Sequence, residues 1–315
     1  MSGATFARLW RLAQRAPTWL VRALCALAAL VTWALHGPAV RQLERNLSRL
    51  RPGLGPRELR RLSRRGMLSY LRYYAEIFEL PRMSPQQVDA RVRAEGVERA
   101  RAGIADGRAL VLALGHMGNW DLAGAWACRA LAPVTTVAEV LEPRALFEEF
   151  VALREGLGME IVPLERGSDV YRRLLRTVRA GGRLVPLLAD RDLTARGVEV
   201  ELCGQTARVA VGPAALGTST GADLLPTGIF YERLRGARRR AAGSRWGTVI
   251  RFHEPVRIDP AAPASDRVRL ATQAWVDALA SDLREHPEDW HMLQKVFVAD
   301  LDPERYARTV AEAGR

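Results

Sequence analysis

Residues 113–126, ALGHMGNWDLAGAW, place a histidine and an aspartate five positions apart in a glycine-rich stretch. Two residues five apart on one helix diverge by about 140°, so His116 and Asp121 cannot converge if both are helical. The spacing therefore predicts that His116 stands in a turn and that Asp121 lies in the first turn of the helix after it. Gly115 and Gly118 allow the backbone to bend and a substrate to approach closely. Such a histidine can act as a general base, and the exposed N–H groups of the turn can donate to an anion. The same string also suits a capped helix with a satisfied histidine.

Alternating apolar and amphipathic segments predict the elements that position these side chains. Short, continuous apolar runs are typical of buried parallel strands, and the segments between them have helical periodicity. The predicted strands are residues 109–114, 134–140, 159–164, 183–189, 224–232 and 246–258, and the predicted helices include 120–131, 144–156 and 265–286. The pattern indicates the α/β class, with a mostly parallel central sheet flanked by helices and a helical N-terminal segment.

Three ionisable side chains stand at the ends of these predicted strands. His116 follows the first strand, Glu139 ends the second, and Asp190 follows the fourth. Functional sites of open α/β sheets gather at the carboxyl ends of the strands. We therefore expect these three side chains to lie at one edge of the sheet.

The N-terminal run Trp19–Leu35, WLVRALCALAALVTWAL, is the most apolar part of the chain. Its length is at the short limit for a membrane-spanning helix, and Arg22 interrupts it. Arginines flank it on both sides and give no orientation signal, and no small-residue cleavage site follows it, so a signal peptide is not predicted. The run predicts a helix that lies at a membrane surface, is buried in the core, or spans the bilayer.

Two basic amphipathic helices are predicted after this run, over residues 41–50 and 57–80. Such helices can rest on anionic lipid, or they can pack on a core and expose a solvated arginine face. The arginines interleaved in the second helix are Arg57, Arg60, Arg61, Arg64, Arg65 and Arg72. We predict a membrane-associating helical segment over residues 1–80, packed on an α/β domain over residues 81–315 in one globular unit.

The chain is strongly basic, with a net charge of +12. Lys295 is its only lysine, and arginine pairs with phosphate in a planar, two-pronged geometry. An anionic partner is therefore expected: nucleic acid, a phospholipid surface or a phosphorylated substrate. The segment Gly236–Arg245, GARRRAAGSR, is expected to be a mobile loop. The three cysteines are far apart without a CxxC motif, which argues against a disulfide framework or a metal site and favours a reducing compartment.

Several motifs occur in order along the chain and carry a family resemblance. They are HMGNWDLAGAW, TTVAEVLEP, FVALREGLG, PLLADRDLTARGVEVELCG and DWHMLQ. Together they resemble the bacterial membrane glycolipid acyltransferases of the H-x4-D type, and the likeness is closest to the actinobacterial phosphatidylinositol mannoside acyltransferases. It extends over nearly the whole chain from about residue 40.

The resemblance implies transfer of an acyl group from a thioester to a hydroxyl. Such a reaction needs a base for the hydroxyl proton. The G-x-S-x-G string at residues 217–221, GTSTG, does not directly follow a predicted strand and so lacks the strand–turn–helix context of a nucleophile elbow, and no cysteine lies in a recognisable nucleophile context. The chemistry therefore favours a general-base route without an acyl-enzyme, with His116 as the base. The resemblance implies that Asp190 orients His116. Relatives often carry glutamate there, so the reach of the shorter aspartate is a question for the structure.

Further roles follow from the same likeness. Asp121 is expected to form an arginine–carboxylate pair with Arg154 that fixes the loop. Glu139 and His291 are expected to contact a sugar headgroup, and Arg154 and Asn119 are counted with the substrate-binding residues. The donor would be acyl-CoA or acyl carrier protein, no cofactor is needed, and the acceptor would be a phosphatidylinositol mannoside-type glycolipid. The expected location is the cytoplasmic face of the cell membrane, in peripheral or monotopic form, on an anionic bilayer surface.

Three alternatives are left open at this point. One is a lipid A-type acyltransferase acting on another glycolipid, although GNWD differs from the GNWE common in that branch. A second is a basic nucleic-acid-binding protein, but no recognised module is visible and aromatic residues make up only 7% of the chain, so nucleic acid is not an expected partner. A third is a non-catalytic lipid-binding relative, against which the intact His116 and Asp121 argue.

Overall fold

The computed structural model describes residues 10, 12–140, 142–165, 169–259 and 261–313. Its helices are α1 (Thr18–Leu35), α2 (Pro38–Leu50), α3 (Pro56–Glu79), α4 (Pro85–Arg91), α5 (Val97–Ala105), α6 (Trp120–Ala130), α7 (Arg144–Gly156), α8 (Val170–Ala180), α9 (Gly212–Thr220), α10 (Gly236–Ala242), α11 (Ala264–Glu285) and α12 (Pro303–Ala313). Its strands are β1 (Val92–Glu95), β2 (Leu110–Leu114), β3 (Val134–Glu139), β4 (Met159–Leu164), β5 (Leu184–Leu188), β6 (Val198–Leu202), β7 (Gln205–Val209), β8 (Asp223–Arg233) and β9 (Trp246–Phe252).

The central sheet has seven strands in the order β1-β9-β8-β2-β5-β3-β4. Strands β2, β3, β4, β5 and β8 run in one direction, whereas β9 is antiparallel to β8 and β1 is parallel to β9. The predicted class, an α/β fold with a mostly parallel sheet flanked by helices, is confirmed. Strand β1 and the antiparallel pair β6–β7 were not among the predicted strands, although the alternation in Val198–Leu202, VEVEL, was an available signal for a strand.

Strand β2 lies at the middle of the sheet and is buried along its whole length. Its alternate side chains enter two apolar clusters, with Val111 in one and Leu110 and Leu112 in the other. Because both faces of the strand are covered, its sequence reads as a continuous apolar run. The rigid centre of the fold therefore ends directly at the turn that contains His116.

The N-terminal helices share one core with the sheet. Leu43 and Leu47 of α2 and Met67 of α3 belong to the same apolar cluster as Val111 and Val185. The predicted boundary at residue 80 falls one residue after α3 ends, and β1 begins at residue 92. Residues 1–9 and 11 of the predicted N-terminal segment lie outside the described residues.

Helix α1 packs one face on the protein and leaves an apolar face exposed. Arg22 pairs with Glu79 at the end of α3, and the Trp33 indole donates to the hydroxyl of Ser63 at 3.1 Å. The exposed side chains are large and apolar, namely Trp19, Leu24, Leu27, Val31 and Leu35. By length and composition α1 could cross a membrane, and only 11% of its 18 residues are buried in the protein. The buried-core interpretation of this run is therefore wrong for most of its residues.

The interleaved arginines of α3 divide into two groups. Arg57, Arg61, Arg64 and Arg65 are exposed. Arg60 instead lies over the Trp33 ring and pairs with Glu44 at 2.8 Å, and Arg72 lies over the rings of Tyr231 and Trp246. The helix therefore packs on the core and leaves a basic face exposed, which is the second of the two predicted arrangements.

The segment Gly236–Arg245, expected to be a mobile loop, is helical over most of its length, so the loop prediction is wrong. Residues 236–242 form α10, which ends at Gly243 in the left-handed conformation. Arg238 attaches α10 to α4 by donating to the carbonyl of Ala90 at 2.8 Å. These tertiary contacts outweigh the two glycines that suggested a loop.

Candidate active site

The turn between β2 and α6 holds His116, as the spacing predicts. Asn119 caps α6, and its side-chain oxygen accepts from the backbone N–H of Leu122 at 2.9 Å. Gly118 has a φ of 61°, and a Cβ at this position would collide with the carbonyl oxygen of Ile229. Only glycine fits there, which explains why the turn is glycine-rich.

Asp190 lies two residues beyond β5, is fully buried, and contacts His116 directly. Its Oδ1 is 2.5 Å from His116 Nδ1, and its Oδ2 accepts from the His116 backbone N–H at 2.9 Å. The shorter aspartate therefore reaches the imidazole. A carboxylate can only accept, so Nδ1 carries a proton, and in the neutral ring Nε2 keeps its lone pair. The His116 side chain is 39% exposed, so a ligand can reach it.

The two side chains shift each other's pKa in opposite directions. Burial alone would lower the pKa of His116, but the charge of Asp190 and its hydrogen bond outweigh burial and raise it. Burial alone would raise the pKa of Asp190, but His116, the Trp290 indole and the His116 backbone N–H together lower it. The carboxylate is therefore ionised and stabilises positive charge on the imidazole.

A segment near the C-terminus runs along the His116 turn. The backbone N–H of Gly118 donates to the carbonyl of Asp289 at 2.9 Å. The backbone N–H of His291 donates to the carbonyl of His116 at 2.7 Å. Between these two contacts lies Trp290, fully buried, whose Nε1 donates to Asp190 Oδ2 at 2.8 Å. The segment therefore holds both the turn and the carboxylate.

The backbone N–H groups of the turn are occupied within the protein. That of His116 donates to Asp190, that of Met117 to the Gly115 carbonyl at 2.8 Å, and that of Gly118 to the Asp289 carbonyl. The expectation that these N–H groups bind an anion is wrong at these three positions, because each already has an acceptor.

Asp121 forms a separate cluster away from His116. Its Oδ1 accepts from Arg154 Nε at 2.7 Å, and its Oδ2 accepts from the Tyr73 hydroxyl at 2.7 Å. The predicted pair with Arg154 is therefore present. Burial would lower the pKa of Arg154, but Asp121 raises it, so the guanidinium remains charged. The cluster joins α3, α6 and α7.

The remaining predicted residues lie at different depths. Glu139 is exposed at the end of β3, and its charge contributes to raising the pKa of His116. His291 is buried, its Nε2 is 3.1 Å from the Ser69 hydroxyl, and its Nδ1 has no hydrogen-bond partner among the described residues. Burial and the charges of Arg72 and His116 lower the pKa of His291 to about 3, so its ring is neutral.

Asn119 does not fit the expected role in substrate binding. Its side chain is fully buried, and its amide nitrogen donates to Glu76 Oε2 at 2.7 Å while its oxygen caps α6. Both ends of the amide are therefore used by the protein. Its place beside the reactive motif reflects the need for a helix cap.

Comparison with known proteins assigns the family. Residues 3–298 match the family model described as bacterial lipid A biosynthesis acyltransferase. The chain belongs to this acyltransferase family. A phosphatidylinositol mannoside acyltransferase from Mycolicibacterium smegmatis is 36% identical over 307 residues, which cover 96% of this chain and 93% of that protein. A protein of the same name from Mycobacterium tuberculosis is 38% identical over 284 residues, which cover 88% and 82%.

One solved structure also matches at a low level. The PlsC 1-acyl-sn-glycerophosphate acyltransferase from Thermotoga maritima has a TM-score of 0.36 and 13% identity, with coverage of 85% of this chain and 98% of that chain. A likeness at this level is too weak to bear on function.

Sequence reasoning missed the residues that support the candidate pair. Trp290 and Asp289 are part of the quoted motif DWHMLQ, so their proximity to His291 was the available signal. Tyr73, which donates to Asp121, gave no signal beyond helical periodicity. Within the described ranges, no three His, Cys, Asp or Glu side chains are arranged as a metal site.

Proposed function

We propose that this protein is an O-acyltransferase that moves a fatty acyl group from acyl-CoA or acyl carrier protein to a hydroxyl of a mannosylated phosphatidylinositol glycolipid. The observation that carries the proposal is the His116–Asp190 pair, in which the buried carboxylate engages Nδ1, so that Nε2 is the basic nitrogen of the neutral ring, and the ring is partly exposed. The acceptor class is supported by the two mycobacterial relatives.

The residues suggest a mechanism by general base catalysis. His116 Nε2 removes the proton from the acceptor hydroxyl as its oxygen attacks the thioester carbonyl. Asp190 stabilises the resulting imidazolium through Nδ1–H. The tetrahedral intermediate collapses, the carbon–sulfur bond breaks, and the thiolate takes the proton back from Nε2. Atoms and charge balance without a cofactor, with the acyl thioester as co-substrate.

The exposed apolar face of α1 supports a location at the bilayer. Trp19 is 70% exposed and Leu35 is 78% exposed, so the helix presents apolar side chains that the protein does not cover. Both expected substrates carry acyl chains, and an enzyme of this class meets them at a membrane. We assign the protein to the cytoplasmic face, where acyl thioesters are available, with α1 lying in the interface.

Mass spectrometry of lipid products tests the proposal. Purified protein is given palmitoyl-CoA with a phosphatidylinositol mannoside, and unmannosylated phosphatidylinositol serves as the comparison acceptor. We expect one palmitoyl group to be gained on the mannosylated lipid. No gain, or an equal gain on both acceptors, contradicts the assignment of the acceptor.

His116→Ala should reduce turnover by about 10²- to 10⁴-fold, the usual contribution of a general base. His253→Ala is a matched control, because His253 Nε2 also lies 2.7 Å from a buried carboxylate, that of Asp282. His253 follows β9, which is separated from β2 by β8 in the sheet, and it pairs with Asp282 rather than with Asp190. Turnover of His116→Ala within a few-fold of wild type would rule out its role as base.

A further inference from the structure

A pocket lined by arginines lies outside the candidate active site. It measures about 530 Å³ and is formed by Arg22 of α1 with the α10 region of the chain. Its other lining residues are Gly236, Arg239, Arg240, Gly243, Ser244 and Arg245. None of these described lining residues is acidic. We refer to it as the arginine pocket.

The positive charge of the arginine pocket is largely uncompensated. Within the described part of the chain, Arg239, Arg240 and Arg245 are exposed and form no ion pair. Arg22 is different, because it is held by Glu79, with its NH2 group 2.7 Å from Glu79 Oε2. Three free guanidinium groups around one concave surface suit a phosphate, which accepts two-pronged hydrogen bonds from arginine.

Helix α10 is held firmly enough to present these side chains. The neighbouring Arg238 pairs with Glu232 at 2.5 Å and with the Ala90 carbonyl. The buried Arg91 donates to the carbonyl of Ala242 at 3.1 Å. The anchoring arginines are thus distinct from the arginines that line the pocket.

The position of the arginine pocket favours a lipid as the source of the phosphate. Helix α10 follows β8, which is parallel to β2, so it lies at the same sheet edge as His116. Arg22 belongs to α1, on which Trp19 and Leu24 are 70% and 56% exposed. A phosphate site next to an exposed apolar helix matches a lipid, with the headgroup phosphate against the arginines and the acyl chains against α1.

We propose that the arginine pocket binds the headgroup phosphate of an anionic bilayer phospholipid and so sets how the protein sits on the membrane. The proposal does not depend on acyl transfer. Soluble phosphate esters such as the nucleotide part of CoA share this chemistry, so the experiment must separate the two sources.

The experiment compares vesicles of phosphatidylcholine alone with vesicles that also contain phosphatidylglycerol, using the full chain in a co-sedimentation assay. The pocket variant is Arg239→Gln/Arg240→Gln/Arg245→Gln. The control variant, Arg172→Gln/Arg176→Gln/Arg179→Gln, removes the same charge from exposed positions of α8, which packs against β4 and α9. The readout is each variant's preference for the anionic vesicles, which is a ratio and does not depend on the folded fraction.

We expect the pocket variant to lose about 10- to 100-fold of the preference for anionic vesicles, because each arginine at an anionic surface contributes about one order of magnitude or less. The control variant should stay within about threefold of wild type. Equal losses in both variants would show that only net charge matters and would overturn the site, as would no loss in either.

Titration of wild type and the pocket variant with CoA and with inorganic phosphate, without vesicles, separates the sources. Because the pocket recognises the phosphate itself, we expect the pocket variant to bind inorganic phosphate more weakly than wild type, whereas CoA should bind both proteins with the same affinity at the donor site. CoA binding that the pocket variant loses would assign the arginine pocket to the acyl donor and overturn its assignment to a bilayer lipid.

Discussion

The imidazole of His116 binds Asp190 through Nδ1, and Nε2 has no hydrogen-bond partner among the described residues. The charge of Asp190 raises the basicity of Nε2. This arrangement raises the pKa of His116 above the ordinary histidine value. A base works only when unprotonated, so the rate should fall as the pH drops through this raised pKa. The acid limb of the pH–rate profile therefore reports directly on the pair.

Asp190→Asn should reduce kcat by about 10²- to 10⁴-fold, with little change in the KM for the acyl donor. Because the charge that raises the pKa of His116 is removed, the acid limb of kcat/KM should move to lower pH. The measurement is a pH–rate profile of both proteins. An acid limb that stays in place would show that Asp190 does not act on His116.

Trp290 supplies a hydrogen bond to Asp190, and its contribution can be isolated. Trp290→Phe keeps a large ring and removes the donor, so the buried carboxylate is less stabilised and kcat should fall by about 10-fold or more. Trp275→Phe is the matched control, because Trp275 is also fully buried but its Nε1 has no hydrogen-bond partner among the described residues. The two variants are compared by kcat and by thermal unfolding. Equal losses of kcat would mean that the donor at Trp290 has no special role.

At the scale of elements, three helices meet at Asp121. The carboxylate is buried and binds Arg154 of α7 and Tyr73 of α3, while its own helix, α6, begins at the His116 turn. The cluster therefore transmits the position of the outer helices to the turn. In the proposed mechanism its effect on catalysis is indirect, since Asp121 accepts from Arg154 and Tyr73 and not from His116.

Asp121→Asn leaves the buried Arg154 without its counter-charge, so it should lower the free energy of unfolding by about 3 kcal/mol. Tyr73→Phe removes only one hydrogen bond to the same carboxylate and should cost about 1–2 kcal/mol. Urea unfolding measures both. A fully stable Asp121→Asn protein that has lost turnover would instead give Asp121 a direct catalytic role.

Two features of the whole molecule would bind a bilayer in the proposed location. One is its net charge of +12, and the other is the exposed apolar face of α1. Salt screens the first and not the second, so association with anionic vesicles should weaken in high salt without being abolished.

Leu24→Gln/Leu27→Gln should weaken vesicle binding by about 100-fold in high salt, because it removes apolar area that would be buried in lipid. Leu164→Gln/Val310→Gln is the control, since these side chains are exposed on β4 and α12. Co-sedimentation with vesicles at low and high salt measures both variants. Release of the membrane-bound wild type by detergent alone, and never by salt or alkali, would show that α1 spans the bilayer.

The sequence by itself determined the elements and the reactive turn. The apolar runs that became β2, β3, β4 and β5 and the spacing of His116 and Asp121 are local patterns, since a strand or a helical turn is fixed by residues within a few positions. The same reasoning placed His116, Glu139 and Asp190 at strand ends. The family resemblance also predicted the pair between Asp121 and Arg154.

The tertiary structure alone decided which of these groups meet. Asp190 is 74 positions from His116, and Trp290 is 100 positions from Asp190. Their contact depends on the placement of β2 beside β5 and on the path of the segment after α11, which local periodicity does not encode. Burial of Asn119 and the pairing of the turn's N–H groups depend on the same packing. The arginine pocket likewise exists only because α10 folds against α4 and α1, two elements more than 140 positions earlier in the chain.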